Sequence, residues 1–238
     1  MPARNLYFQQ LFEPTTSTYS YLLADLDSKE AVLIDSVLEM HERDLKLIRE
    51  LEFKLLYVFD THVHADHITG AGKMADITGA RIGISAAAGC TGANLALKDG
   101  ELVSFGRFQI RVIATPGHTQ CSVCFLIHDL VLTGDTLLIR GNGRTDFQGG
   151  SASDLYKNIT SKLFTLPDET LVYPGHDYKG FTSSTIGVEK KLNPRIGGGR
   201  SLEQFIQVMH DLELAPPKNI AVAVPANMCC GRVAKESL

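Results

Sequence analysis

The stretch of residues 61–67 reads THVHADH, and it decides how the rest of the chain is interpreted. It packs three imidazoles and one carboxylate into the six residues from His62 to His67, directly after the apolar run 55–59. Imidazole nitrogens and carboxylate oxygens suit zinc, iron and related divalent ions, and a loop at the end of a strand can aim several side chains at one point. The alternative is a polar surface loop, but three of the chain's eight histidines fall here. The stretch therefore predicts the metal site of an enzyme.

Three later segments repeat this local pattern. They read TPGHT with His118, TGDT with Asp135 and YPGHD with His176. Each places a candidate ligand just past a predicted strand, beside a glycine that lets the backbone turn sharply. In an α/β fold the ends of such strands meet at one edge of the sheet, where active sites lie. A single residue of this kind is usually only part of a turn, but four such segments together predict that their side chains converge.

Predicted strands come in clusters that are separated by predicted helices. The strands cover residues 19–26, 30–34, 55–59, 80–84, 102–105, 108–114, 121–127, 130–133 and 170–173, and the helices cover 42–51, 68–79, 153–163 and 201–214. This order favours sheets lying between helical layers over an all-β barrel or a helix bundle. Because the chain shows no internal repeat and no long linker, residues 1–238 are expected to form one domain.

Composition narrows the classes of function. The formal net charge is -4, and no block of five or six like charges occurs, so we expect no nucleic-acid partner. No apolar run approaches the roughly 20 residues that span a bilayer, so we expect no membrane partner. Five cysteines, an odd number, without a recognisable presequence argue for reduced thiols and a cytoplasmic location.

The order of these motifs resembles that of the metallo-β-lactamase superfamily, in which HxHxDH is followed by His, Asp and His. The resemblance covers nearly the whole chain and implies an αββα sandwich, with the metal at the top edge of two sheets. In dinuclear members of that superfamily the first ion would be bound by His62, His64 and His118, the second by Asp66, His67 and His176, and Asp135 would bridge them. A hydroxide held between two such ions is a nucleophile at neutral pH. Hydrolysis is therefore the first activity that this broad resemblance implies.

A narrower set of motifs is similar to the persulfide dioxygenase family. These motifs are residues 11–14 (LFEP), 140–148 (RGNGRTDFQ), 176–181 (HDYKGF), 192–195 (LNPR) and 225–228 (PANM) followed by Cys230-Gly231. The resemblance implies a dioxygenase that oxidises glutathione persulfide with O2 to sulfite and glutathione, and a homodimer. It also implies one Fe(II) per chain, bound by His62, His118 and Asp135. The remaining candidates would orient these ligands or bind a second metal, and they are His64, Asp66, His67 and His176.

The chemistry of this ligand set agrees with such an activity. Two imidazoles and one carboxylate leave three positions of an octahedral ion open, as in non-haem iron oxygenases. A persulfide sulfur and O2 can then meet at one centre. Zinc could bind the same side chains but cannot change its oxidation state. We therefore expect iron.

Three residues are candidates for binding the glutathione part of the substrate. Arg140 and Arg144 follow Asp135 on one loop, and guanidinium groups grip carboxylates with paired hydrogen bonds. A solvated loop charge is nearly as plausible for each arginine taken singly. Tyr178, two residues after His176, could hydrogen-bond the substrate, or it could simply be a packed tyrosine.

Two other functions stay open at this point. A dinuclear thioester hydrolase of glyoxalase II type would also act on glutathione conjugates, although such enzymes typically carry a larger C-terminal helical region. A protein that keeps the fold only to carry sulfur or metal is the second alternative. The intact cluster of ligand-type side chains argues against it.

Overall fold

The computed structural model describes residues 5–212, 214–215 and 219–232. Its first sheet has six strands that lie side by side in chain order. They are β1 (Leu6–Glu13), β2 (Thr18–Asp25), β3 (Glu30–Ile34), β4 (Lys54–Phe59), β5 (Arg81–Ser85) and β6 (Leu95–Leu97). The first three strands pair antiparallel, and β3 to β6 pair parallel. The parallel half therefore presents the carboxyl ends of its strands at one edge.

The second sheet also has six strands, in the order β12-β11-β10-β9-β8-β7. They are β7 (Leu102–Phe105), β8 (Phe108–Ala114), β9 (Val123–Ile127), β10 (Leu130–Gly134), β11 (Leu171–Pro174) and β12 (Ser184–Thr185). Neighbouring strands are antiparallel except β10 and β11, which are parallel. The ends of β10 and β11 therefore face the same way.

Helices cover the outer face of each sheet. The described helices are α1 (His41–Glu50), α2 (Ala71–Thr78), α3 (Ala152–Asn158), α4 (Ile186–Leu192), α5 (Leu202–His210) and α6 (Ile220–Asn227), with a π-helical continuation of α3 over Ile159–Leu163. Buried side chains of α1 and α2 pack on the first sheet, and those of α3, α4 and α5 pack on the second. No helix among the described residues is long and apolar enough to cross a bilayer.

The alternation of side chains along β2 explains why all of its residues are buried. Tyr21 and Leu23 point into the layer between the two sheets, whereas Leu22 and Ala24 point towards the outer helices. Successive side chains of a strand face opposite sides, so a strand covered on both faces is buried throughout, including its polar residues Thr18, Ser20 and Asp25. Between the sheets, the rings of Phe59 and Phe125 stack with centroids 5.5 Å apart. The predicted αββα sandwich is confirmed.

Several predicted boundaries differ from those observed. The helix predicted over 68–79 begins at Ala71, because Thr69 bonds the side chains of Asp60 and Asn227 instead of entering the helix. The helix predicted over 201–214 ends at His210, with Ser201 as its N-cap; Glu213 lies outside the described residues. Strand β1 was not predicted, because Gln9 and Gln10 interrupt its apolar alternation at an edge of the sheet.

Candidate metal centre

The predicted ligands meet at one edge of the two sheets. His62 follows β4, His118 follows β8, Asp135 follows β10 and His176 follows β11. One ligand atom from each of His62, His118 and Asp135 can be chosen so that all three lie within 4.8 Å of one another. Side chains from three separate strand ends are therefore close enough to bind one ion.

The two imidazoles of this group are held so that their Nε2 atoms remain available. His118 Nδ1 donates to the carbonyl of Arg144 at 2.7 Å, since a carbonyl can only accept. Thr61 Oγ1 donates to Asp35 Oδ2 at 3.0 Å, so it accepts from His62 Nδ1, which is also 3.0 Å away. A hydrogen bond at one ring nitrogen fixes the tautomer and leaves the other nitrogen for a metal.

Burial and neighbouring charges set the ionisation that a metal requires. Burial, together with the imidazoles of His64 and His118, lowers the pKa of His62 well below its ordinary value. Burial alone would raise the pKa of Asp135, but the charge and hydrogen bond of His176 hold it well below its usual range. A neutral imidazole and an ionised carboxylate are the forms that bind metals.

His176 lies between two carboxylates. Its Nδ1 is 2.7 Å from Asp135 Oδ1, and its Nε2 is 3.1 Å from Asp66 Oδ2. Burial opposes protonation, but the charges of these carboxylates raise the pKa of His176 well above its ordinary value. With both ring nitrogens engaged, His176 orients Asp135, whose other oxygen, Oδ2, lies 3.6 Å from His118 Nε2.

A second group of possible ligands lies beside the first. Ligand-type atoms of His64, Asp66 and His67 also lie within 4.8 Å of one another. His64 Nε2 pairs with Asp35 at 3.2 Å, and His67 Nδ1 pairs with Asp66 at 2.9 Å. The remaining nitrogens, His64 Nδ1 and His67 Nε2, are buried without a hydrogen-bond partner. Because orphaned buried polar atoms are costly, these two nitrogens fit a metal or an ordered water.

Comparison with known proteins shows which family this chain belongs to. The model of the metallo-beta-lactamase superfamily matches residues 14–176. The human protein named persulfide dioxygenase ETHE1, mitochondrial, is 49% identical in an alignment of 229 residues that covers 95% of this chain and 89% of the human one. The mouse protein of the same name is 51% identical and covers 94% of this chain and 88% of its own. The chain belongs to the persulfide dioxygenase family.

Solved structures agree with this assignment. The crystal structure of ETHE1 from Myxococcus xanthus superposes with a TM-score of 0.93 at 53% identity, covering 95% of this chain and 100% of the other. A more distant match, TTHA1623 in a di-iron-bound form, has a TM-score of 0.64 at 25% identity and covers 78% of this chain and 98% of the other. The expected cytoplasmic location is wrong on this comparison, because the human, mouse and bovine relatives are all named mitochondrial.

In this member of the persulfide dioxygenase family, Asn227 holds the backbone of residues 61–69, the loop after β4 that carries the candidate ligands and is called the metal loop below. The sequence analysis did not predict this role. The side-chain amide of Asn227 donates to the carbonyls of His64 at 2.9 Å and His67 at 2.8 Å, and its side-chain oxygen accepts from the amide of Thr69 at 2.9 Å. The residue is buried at the end of α6. The PAN motif that contains Asn227 was part of the family signature, but nothing local indicated its partners.

Gly143 allows the loop after β10 to reach His118. A Cβ at this position would lie 2.6 Å from His118 Nδ1 and 2.4 Å from the carbonyl oxygen of Asp135. Such distances exclude any side chain unless the backbone moves. The glycine therefore brings the Arg144 carbonyl within hydrogen-bonding distance of His118.

The predicted substrate-binding residues lie in different surroundings. Arg140 pairs with the fully buried carboxylate of Glu189, so its guanidinium is already engaged. Arg144 pairs with Asp146 through two bonds of 2.6 Å and lines a cleft of about 400 Å³. Tyr178 is 72% exposed, and its ring is parallel to that of His176 at 6.0 Å. Both arginines are thus held in ion pairs, with side chains that are 29% exposed for Arg140 and 16% exposed for Arg144, whereas Tyr178 lies exposed beside His176.

Proposed function

We propose that this protein is a persulfide dioxygenase that oxidises glutathione persulfide with one Fe(II) per chain, bound by His62, His118 and Asp135. The balanced reaction converts glutathione persulfide, O2 and water into glutathione, sulfite and two protons. The observation that carries the proposal is the meeting of two imidazoles, each hydrogen-bonded through Nδ1, and one carboxylate at one sheet edge, in a chain about half identical to named persulfide dioxygenases.

Iron suits this donor set, and it would supply the change of oxidation state that a reaction with O2 demands. The chain's own residues hold the ligands in place. The Arg144 carbonyl fixes the ring of His118, and Thr61 fixes the ring of His62. His176 holds one oxygen of Asp135, which leaves the other directed towards His118. Such supporting contacts commonly change metal affinity by about 10- to 100-fold when they are removed.

The glutathione part of the substrate would bind beside these ligands. We propose that Arg144 meets a substrate carboxylate in exchange for Asp146, which is 61% exposed, while the carbonyls of Leu214 and Ala215 keep the guanidinium at the border of the cleft. Tyr178, whose ring lies parallel to that of His176, would donate a hydrogen bond from its hydroxyl to the substrate. His64, Asp66, His67 and His176 would support the ligands from outside. A homodimer is proposed from the family resemblance, and sedimentation would test it.

A dinuclear thioester hydrolase is the second candidate. The orphaned nitrogens of His64 and His67 favour it, because they could bind a further ion with Asp66. In that case His176 would have to exchange one of its carboxylate partners for the metal, since both of its ring nitrogens are already hydrogen-bonded. The single-ion arrangement requires no such exchange, so we place it first.

Oxygen uptake tests the proposal directly. Protein loaded with Fe(II) should consume O2 and release sulfite from glutathione persulfide, and protein loaded with Zn(II) should not. His118→Ala and Asp135→Ala should lose this activity while keeping the fold. His128→Asn is the matched control, because His128 is exposed and asparagine tolerates its positive φ. Hydrolysis of lactoylglutathione without oxygen uptake would refute the dioxygenase and support the hydrolase.

A further inference from the structure

Cys90 and Cys230 lie together on the outer side of the first sheet, and Cys90 also packs against the small cluster that contains Val63 and Cys121. Cys230 is buried, and the partly exposed Cys90 packs in the same apolar cluster. The carbonyl of Asn227 accepts from the Cys90 thiol at 3.5 Å and from the Cys230 amide at 2.9 Å. The two residues therefore approach each other around one backbone oxygen.

Both cysteines lie in irregular segments that can adjust. Cys90 follows the helical turn Ala86–Ala88, and Cys230 lies in the turn after α6 with a φ of 55°. Bringing two sulfurs to the roughly 2.05 Å of a disulfide needs small backbone shifts, which turns permit more readily than sheets. The partial exposure of Cys90 gives a reagent in solution a point of entry.

The other thiols among the described residues are engaged differently. Cys121 is buried, and its sulfur contacts the amide of Val63 and the hydroxyl of Thr119, each at 3.4 Å. Cys229 accepts from the hydroxyl of Thr91 at 3.6 Å. Cys124 belongs to the core beneath the helices of the second sheet. Cys230 is thus the best-placed partner for Cys90.

We propose that Cys90 and Cys230 form a reversible disulfide, a redox-modification site that is separate from the metal centre and is oxidised by low-molecular-weight disulfides. The Cys90 thiolate attacks one sulfur of such a disulfide and expels a thiolate, which leaves a mixed disulfide on Cys90. The Cys230 thiolate then attacks Cys90 Sγ and expels the second thiolate. Two electrons and two protons thereby pass from the cysteine pair to the small disulfide, which becomes two thiols.

Electrostatics favours Cys230 as the thiolate in the second step. In the dithiol, a hydrogen bond from the Cys90 thiol lowers the pKa of Cys230 against the opposing effect of burial; once Cys90 carries the mixed disulfide, the charge of Arg232 still acts in the same direction. Cys230 is three residues beyond Asn227, and its carbonyl accepts from the Gly72 amide at 2.9 Å. The disulfide would therefore tie the segment that holds the metal loop to the loop before β6.

Incubation of the metal-loaded protein with glutathione disulfide tests this proposal, with alkylation of free thiols and peptide mass spectrometry as the readout. We expect the loss of two of the five free thiols, a cross-linked peptide pair containing Cys90 and Cys230, and reversal by glutathione. Cys90→Ser and Cys230→Ser should abolish the cross-link, and Cys229→Ser should retain it as the matched control. A cross-link through Cys121 or Cys229, or five free thiols at every ratio of glutathione disulfide to glutathione, would overturn the proposal.

Discussion

Replacing Asn227 should weaken metal binding from outside the ligand set. Asn227→Ala removes three buried hydrogen bonds and leaves the carbonyls of His64 and His67 and the amide of Thr69 without partners. At about 1 kcal/mol for each bond, the free energy of unfolding should fall by roughly 3 kcal/mol. Because the same bonds fix the backbone of the metal loop, affinity for Fe(II) should fall by about 10- to 100-fold.

Asn227→Asp sharpens this prediction. It keeps the size of the side chain and the oxygen that accepts from Thr69, but it places an oxygen against the carbonyls of His64 and His67. We therefore expect it to weaken metal binding at least as much as Asn227→Ala. Urea unfolding of the metal-free protein would measure stability, and competition with a chelator would measure affinity for Fe(II).

Asn94→Ala provides the control. Asn94 accepts one hydrogen bond from the amide of Ile82 in β5 and does not contact the metal loop. It should lower stability by about 1 kcal/mol and leave affinity for Fe(II) unchanged. If both Asn227 variants bound Fe(II) as tightly as the wild type, the role assigned to Asn227 would be refuted, whatever their stability.

Three further predictions follow from single contacts. Arg140→Ala leaves the buried carboxylate of Glu189 without its cation and should lower the free energy of unfolding by about 3 kcal/mol. Adding Glu189→Gln should restore part of this loss. An unchanged midpoint of urea unfolding in Arg140→Ala would contradict the prediction. Burial would raise the pKa of Glu13, but hydrogen bonds from Thr16 and Thr15 lower it to about 2. The stability that Glu13 contributes is thus present above about pH 4.5 and is lost as pH falls towards 2. Between pH 5 and 3, the free energy of unfolding of the metal-free protein in urea should therefore fall less for Glu13→Gln than for the wild type. An equal fall in both proteins would count against this prediction. Tyr178→Phe should raise KM for glutathione persulfide several-fold and leave kcat unchanged in oxygen-uptake assays, and an unaltered KM would exclude a contact through its hydroxyl.

The sequence predicts the candidate site well because its members follow strand ends. His62, His118, Asp135 and His176 each come just after an apolar run, and parallel strand ends must meet at a common edge. The αββα layering was predicted on the same grounds, together with the family resemblance. Local patterns are sufficient for such features, because each ligand is positioned by the strand immediately before it.

Contacts between distant segments could not be predicted in the same way. Asn227 lies 158 residues from Thr69, and the PAN motif does not indicate which backbone groups it will meet. The ion pair between Arg140 and Glu189, 49 residues further along the chain, could not be read from the sequence either. Both outcomes depend on how the C-terminal third of the chain packs against the metal loop and the loop after β10.

The central claim is that one redox-active ion lies between His62, His118 and Asp135. Anomalous scattering at the iron edge, measured on crystals of the protein loaded with Fe(II), tests it most directly. We expect a single peak within bonding distance of these three side chains and none beside His64 and His67. Two peaks, with the second ion bound by Asp66 and His67, would contradict it.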